Sequence, residues 1–145
     1  MKNKSSAIKR GNADKKKTRD WYRAQGYASE YTELLRTIFA GPGKLFYQKN
    51  DLFASDGIAM GYEKIIFWNS KGRSSLEKST LGSALRKFDE FPFPPYVIRE
   101  VVMWELRKKN PYRLRKQGDR IWSIDSNGAI KEYEYRNINL VEKLL

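Results

Sequence analysis

The 145-residue chain has neither cysteine nor histidine. Without them there is no disulfide, no thiol nucleophile, no serine–histidine relay and no zinc site of the usual ligands. Any catalysis falls to Asp, Glu, Lys, Arg, Tyr, Ser or Thr, in company with an oxygen-bound metal. No run of 18 apolar residues occurs and the start of the chain is strongly polar, which predicts neither a membrane span nor a secretory signal and an intracellular, cytoplasmic location. Glycine-rich phosphate loops are also missing, so nucleoside triphosphate hydrolysis is not expected. No internal repeat is present.

What the chain has in excess is positive charge, +12 at pH 7, concentrated in two segments. Residues 1–19 carry eight lysines and arginines, among them Lys15, Lys16, Lys17 and Arg19, against Asp14 alone. Residues 107–120 carry Arg107, Lys108, Lys109, Arg113, Arg115, Lys116 and Arg120 against Asp119. Charge placed this way reads as the footprint of a polyanion, because neutralising phosphates releases counterions and dominates non-specific affinity. A solvated basic tail kept for solubility is the alternative for residues 1–19. These residues lack the apolar face of an interfacial helix, so a membrane is not the expected partner.

The length fits one domain. Residues 1–18, rich in Lys, Ser, Asn and Gly, are predicted to be a flexible basic tail, followed by a single domain over 19–145. Trp21 and Tyr22 either dock on the body of the domain or stack on bases. Tyr31, Leu34, Leu35, Ile38 and Phe39 recur at helical spacing, which predicts a helix from Ser29 to Ala40 stopped by Gly41-Pro42-Gly43. A strand follows over Lys44–Gln48. A second helix is expected from Arg73 to Phe88, a stiff connector over Phe91–Pro95, and a strand over Tyr96–Leu106. Ile121–Ile124 and Ile130–Tyr135 flank an Asn-Gly turn and read as a hairpin; the last residues read as a short helix or a dimer-contact tail. The resulting class is α/β (α+β), a mixed central sheet flanked by helices with a C-terminal β-hairpin.

The stretch from Asn50 to Lys71 organises the rest. Gly57–Met60 and Lys64–Asn69 are short apolar runs joined by Gly61-Tyr62-Glu63-Lys64, which predicts a hairpin. With a period of two, Asn69 and Lys71 share a face, and Asp56 opens the partner strand at the same end. A carboxylate beside an amide oxygen and an ammonium makes a cradle for hydrated Mg²⁺ and a phosphate. An Asp-Gly pair such as Asp56-Gly57 is also an ordinary turn signal, so both readings stand. Asp51 is a second acidic candidate, brought to the same side only if the chain bends at Ala54-Ser55.

The order Glu30 on a helix, Asp56 opening a strand, and Asn69-Ser70-Lys71 closing the next resembles the PD-(D/E)XK nuclease superfamily. Within it, the run Asp51–Asp56 and the apolar strand after it resemble small archaeal Holliday-junction-resolvase-like proteins. The resemblance spans roughly Gly26 to Trp104 and implies a restriction-endonuclease-like core. It further implies that Glu30, Asp56 and Asn69 bind Mg²⁺ (or Mn²⁺) and that Lys71 positions or activates water. Without the resemblance, Glu30 would merely complement a helix dipole. The chain departs from the pattern at Asn69, where Glu, Asp or sometimes Gln is expected; the loss of a charge weakens metal binding.

Two functions follow as expectations. One is a Mg²⁺-dependent DNA endonuclease, selective for branched DNA and acting as a homodimer if the resolvase likeness holds. The other is a non-catalytic nucleic-acid-binding protein on a degenerate nuclease scaffold. A protein partner without nucleic acid is a third, blander reading, marked by binding insensitive to salt.

Overall fold

The computed structural model describes residues 4–39, 41–72 and 78–143. Helix α1 (Lys4–Ala24) leads into strand β1 (Ala28–Tyr31). Strands β2 (Glu33–Phe39) and β3 (Leu45–Asp51) form a separate two-stranded ribbon. Then come β4 (Gly57–Gly61), β5 (Lys64–Lys71), helix α2 (Lys78–Lys87) and β6 (Val97–Met103). The chain closes with a meander of β7 (Tyr112–Gln117), β8 (Arg120–Ile124), β9 (Ile130–Arg136) and β10 (Asn139–Glu142).

Eight strands form one sheet in the order β1-β4-β5-β6-β7-β8-β9-β10. Among the described residues only β5 and β6 pair in parallel, with Ile65 opposite Val97 and Lys71 opposite Met103. This is the mixed sheet expected from the sequence, and α1 and α2 cover its two faces. Alternation sets what each helix meets. Ile66 and Trp68 on β5, with Ile98 and Val102 on β6, pack with Tyr22 of α1. Val101 and Met103 on β6, with Leu114 and Ile121, pack with Leu81, Ala84, Leu85 and Phe88 from α2 and the turn after it. Each such side chain, fully buried, contributes roughly 1.5–3 kcal/mol. Trp68 lies directly over Gly57, its register partner: a Cβ at position 57 would stand 2.1 Å from the indole ring. Only glycine fits there.

Three expectations need correction. From Lys4 onward the segment read as a flexible tail is helical, and a boundary at residue 18 would cut through α1. Composition is overridden there by anchoring: Thr18 and Tyr22, one helical turn apart, are both fully buried. The helix expected over Ser29–Ala40 is two strands, β1 and β2, broken at Thr32; Ala40 lies outside the described residues. The break is fixed by hydrogen bonds from Thr32 N to the Asp56 carbonyl (3.1 Å) and from Thr32 Oγ1 to the Ser55 carbonyl (2.5 Å). The C-terminal residues add β10 to the sheet against β9 rather than forming a helix or a free tail.

The predicted β4–β5 hairpin is present with the expected turn, and β8–β9 likewise, although its connection is a five-residue loop in which Asp125 Oδ1 accepts from Asn127 N and Ala129 N. Of the predicted second helix, residues 73–77 lie outside the described residues and α2 covers Lys78–Lys87. The connector over 91–95 is not a mere spacer: Phe93 packs on Phe67 with ring centroids 5.1 Å apart, and Phe91 on Phe53 at 5.7 Å. Among the described residues no helix is long and apolar enough to cross a membrane.

Candidate acidic centre and basic face

The parallel pairing of β5 and β6 puts their carboxyl ends side by side, and ligands of open α/β sheets bind at such ends. Asp56 sits there because β4 runs antiparallel to β5. Its backbone N–H donates to the Trp68 carbonyl and to Asn69 Oδ1, both at 2.9 Å. Its Oδ2 accepts from Ser70 N at 2.8 Å, and its Oδ1 stands 3.7 Å from Lys15 Nζ. Burial pushes the Asp56 carboxyl above its ordinary range; the Ser70 N–H and Lys15 pull it back, the charge of Asp51 pushes it up again, and Lys71 pulls it down. Asp51 thus acts on the centre through its charge, the bend being a 3-10 turn over Leu52–Ala54.

That turn is strained and braced. Phe53 and Ala54 both adopt left-handed backbone angles, φ 54° and 57°. Such residues cost about 1–3 kcal/mol each and persist where the surroundings over-determine them. Here the bracing comes from Ser55 Oγ donating to the Leu52 carbonyl (2.5 Å), Asn69 Nδ2 donating to the Ala54 carbonyl (2.9 Å) and the ring of Phe53 against Phe67 and Phe91. Asn69 is buried, with both ends of its amide engaged: Oδ1 receives the Asp56 N–H and Nδ2 gives to Ala54. Its first role is therefore to clamp the corner that carries Asp56, not to offer a free metal ligand.

From the other side α1 reaches the same strand end. Thr18 Oγ1 lies 3.1 Å from Ser70 Oγ and accepts from Trp104 Nε1 at 2.9 Å, tying helix, β5 and the end of β6 together. One turn earlier, Asp14 Oδ2 is 3.9 Å from where a Cβ on Gly72 would stand, and Lys15 reaches Asp56. Asp14 and Lys15 also engage other partners.

Asp56 and Asn69 are thus in direct contact, and Lys71 lies near enough for its charge to act on Asp56. Glu30 is not part of this group. It is exposed on β1, opposite Ile58, and held by Arg23 Nη2 at 2.5 Å. Arg23 lies eight residues beyond Lys15 on α1, roughly 12 Å along the axis at 1.5 Å per residue. The expected set of Glu30, Asp56 and Asn69 is not assembled, and among the described residues no group of three acidic side chains could hold a metal ion. The helix carboxylate at this end is Asp14. Its signal in the sequence is the row Asp14, Thr18, Tyr22 at spacing four, one face of a helix ending at Gly26.

The two basic segments, distant in sequence, meet in space. Trp21 Nε1 donates to Asn110 Oδ1 (3.3 Å), Lys17 Nζ lies 4.4 Å from the Trp104 ring centroid and the Arg113 guanidinium 4.8 Å from that of Trp21. Trp21 and Tyr22 thus dock on the body of the domain. Lys16, Lys17, Arg107, Lys108 and Lys109 are exposed. Lys16 pairs with Asp20 at 3.0 Å, and Arg19 pairs with Asp20 and lies over the Tyr31 ring. Arg115 is a correction: it is buried, its Nε bonded to Glu100, whose other oxygen accepts from Tyr22 Oη. Glu100 and the hydrogen bond to it raise the Arg115 pKa against the opposing effect of burial. Lys116 belongs to the opposite face, 2.9 Å from Asp89 Oδ1.

Comparison with protein-family models, curated proteins and solved structures gives no match. The reading of the site therefore rests on its own geometry.

Proposed function

We propose that this protein is a Mg²⁺-dependent DNA endonuclease that binds its substrate across the carboxyl ends of β5 and β6. The observation that carries the reading is the convergence of Asp14 from α1, Asp56 opening β4 and Lys71 closing β5 on one strand end, beside an exposed basic face. The succession α1, β1, β4, β5, α2, β6, with β4 antiparallel and β5 parallel to β6, supports a restriction-endonuclease-like core.

Asp14 and Asp56 are the carboxylates that would hold the metal, and Asn69 Oδ1, already accepting one hydrogen bond, keeps a second lone pair. Such an ion supplies Lewis-acid polarisation of a phosphoryl oxygen and of bound water. The chain's own part is positioning. Lys71 directs its ammonium charge to the scissile phosphate and the attacking water, and Lys15 and the 107–109 loop fix neighbouring phosphates. The phosphodiester gains the water oxygen at phosphorus and loses its ester oxygen as an alcohol.

Asn69 favours a second reading, binding without cleavage, because its amide is spent on the fold and only two carboxylates converge. Labelled duplex, single-stranded and four-way-junction DNA, incubated with Mg²⁺, Mn²⁺ or EDTA, separates the two. Endonuclease action requires metal-dependent cutting that Asp56→Ala and Asp14→Asn abolish and Glu30→Gln leaves intact, with binding retained in all three. Binding with no cutting on any substrate overturns it in favour of the second reading. Symmetric cutting of a junction would call for a homodimer, read by light scattering of the protein on that DNA.

A further inference from the structure

At the opposite end of α1 lies a second basic feature. A cavity of about 250 Å³ is lined by Trp21, Gln25 and Tyr27 from the end of α1 and the turn after it, Lys64 at the start of β5, and Arg113 and Arg115 on β7. The cavity runs along the α1 face of the sheet, from Lys64, five residues before Asn69 and roughly 17 Å away along β5, toward Arg113, whose register partner Val102 lies opposite Ser70.

Three cationic side chains converge here. One of them, Arg115, is matched by Glu100. Among the described residues, neither Lys64 nor Arg113 is ion-paired. Arg113 is the more telling of the two. Its Nε is buried with no hydrogen-bond acceptor, and its guanidinium carbon lies 4.8 Å from the ring centroid of Trp21, itself fixed through Asn110. Arg86 and Arg99 also have an unpartnered Nε, but each donates elsewhere through its terminal nitrogens, to Ser83 and to Asp89 and Gly118 respectively. A buried donor left without an acceptor is costly. A guanidinium fork offered beside an ammonium suits the oxygens of a phosphate, and aromatic walls suit the ring of an attached base.

We infer that this cavity is a phosphate-binding site, with Arg113 and Lys64 holding the phosphate oxygens and Trp21 and Tyr27 flanking whatever the phosphate is attached to. The phosphate belongs either to a free nucleotide or to the backbone of a bound strand. The site does not depend on the Asp56 centre cutting anything.

The test follows the indole N–H resonance of Trp21, assigned with Trp21→Phe, in ¹H–¹⁵N spectra. Inorganic phosphate, a nucleoside 5′-monophosphate and a short oligothymidylate are titrated separately at constant ionic strength. A saturable shift, with affinity falling about ten-fold or more in Lys64→Gln and in Arg113→Gln but not in Lys116→Gln, is the expected result. Saturation by phosphate and the mononucleotide assigns the site to free nucleotides; saturation by the oligonucleotide alone assigns it to a strand. Absence of a saturable shift with all three, or shifts of equal affinity in the Lys64 and Arg113 variants, overturns the inference. Lys64 is exposed, so Lys64→Gln decides the matter even if Arg113→Gln fails to fold. Loss of DNA cleavage in Asp56→Ala leaves this titration unchanged, which keeps the two readings separable.

Discussion

If the protein binds duplex DNA as proposed, its exposed cations set how that binding depends on salt. Lys16, Lys17, Arg107, Lys108 and Lys109 are the exposed cations brought together by the contact between α1 and the loop after β6. If each neutralises one phosphate, the logarithm of the affinity falls with the logarithm of salt with a slope of about −4.5. Between 50 and 200 mM salt the affinity then drops about 500-fold. Replacing Arg107, Lys108 and Lys109 together by Gln removes about 2.7 of that slope, and the same change in salt then costs only about ten-fold. Lys116→Gln, on the other face against Asp89, leaves the slope at its wild-type value. Fluorescence anisotropy of labelled duplex over a salt series measures all three proteins. A triple variant with an unchanged slope, or a Lys116 variant with a slope flattened as much, refutes the placement of the interface at the carboxyl end of the sheet.

Asp56→Asn should melt at or above the wild-type temperature at pH 7. Burial raises the Asp56 pKa, so its charge subtracts stability above the unfolded-state value, and that cost disappears as pH falls below it; the gain seen by calorimetry should therefore fade toward pH 4. Glu100→Ala leaves Arg115 buried without its carboxylate and Tyr22 Oη without its acceptor, and should cost about 3–5 kcal/mol in urea unfolding. A loss under about 1 kcal/mol would show that the pair is hydrated. Asn69→Asp removes the donor to Ala54 and sets a second carboxylate beside Asp56, so it should lower stability by about 1–3 kcal/mol, and Mg²⁺ should restore more of the melting temperature than it adds to wild type.

The β4–β5 hairpin was legible because its apolar positions satisfy only one period, and Gly61 to Lys64 leave no alternative to a turn. The segment over 29–40 was not. Tyr31, Leu34, Leu35, Ile38 and Phe39 fit a helix by spacing, yet the same residues lie on two strands once Thr32 is committed to Asp56 and Ser55. Those contacts span more than twenty residues and leave no local trace. Helix α1 was missed for the opposite reason. Its anchors toward the sheet are few, Thr18 and Tyr22 foremost, and the lysine-rich stretch before them has the composition of a disordered tail. Its hold depends on Trp104, Ser70 and Glu100, all distant in sequence. Misplacing this one helix put Glu30 where Asp14 in fact lies near the end of β5, while Asp56 and Asn69, defined by the hairpin alone, lie at the one strand end where the hairpin placed them.

Asn69 shows why position and chemistry need separate arguments. An amide is the one side chain of its size that can accept from the Asp56 N–H and donate to the Ala54 carbonyl at the same time. A carboxylate there would face a carbonyl oxygen and the Asp56 carboxyl without a proton to share, tolerable only with a cation between them. The strained pair Phe53-Ala54 would then lose one of its braces just where Asp56 must be held. The same asparagine therefore makes the corner self-sufficient without metal, and it would reduce the charge available to the metal that the proposed function requires. Under the proposed endonuclease function the burden of charge would pass to Asp14 on the helix, and activity would be sensitive to how firmly Thr18, Ser70 and Trp104 keep α1 against the end of β5.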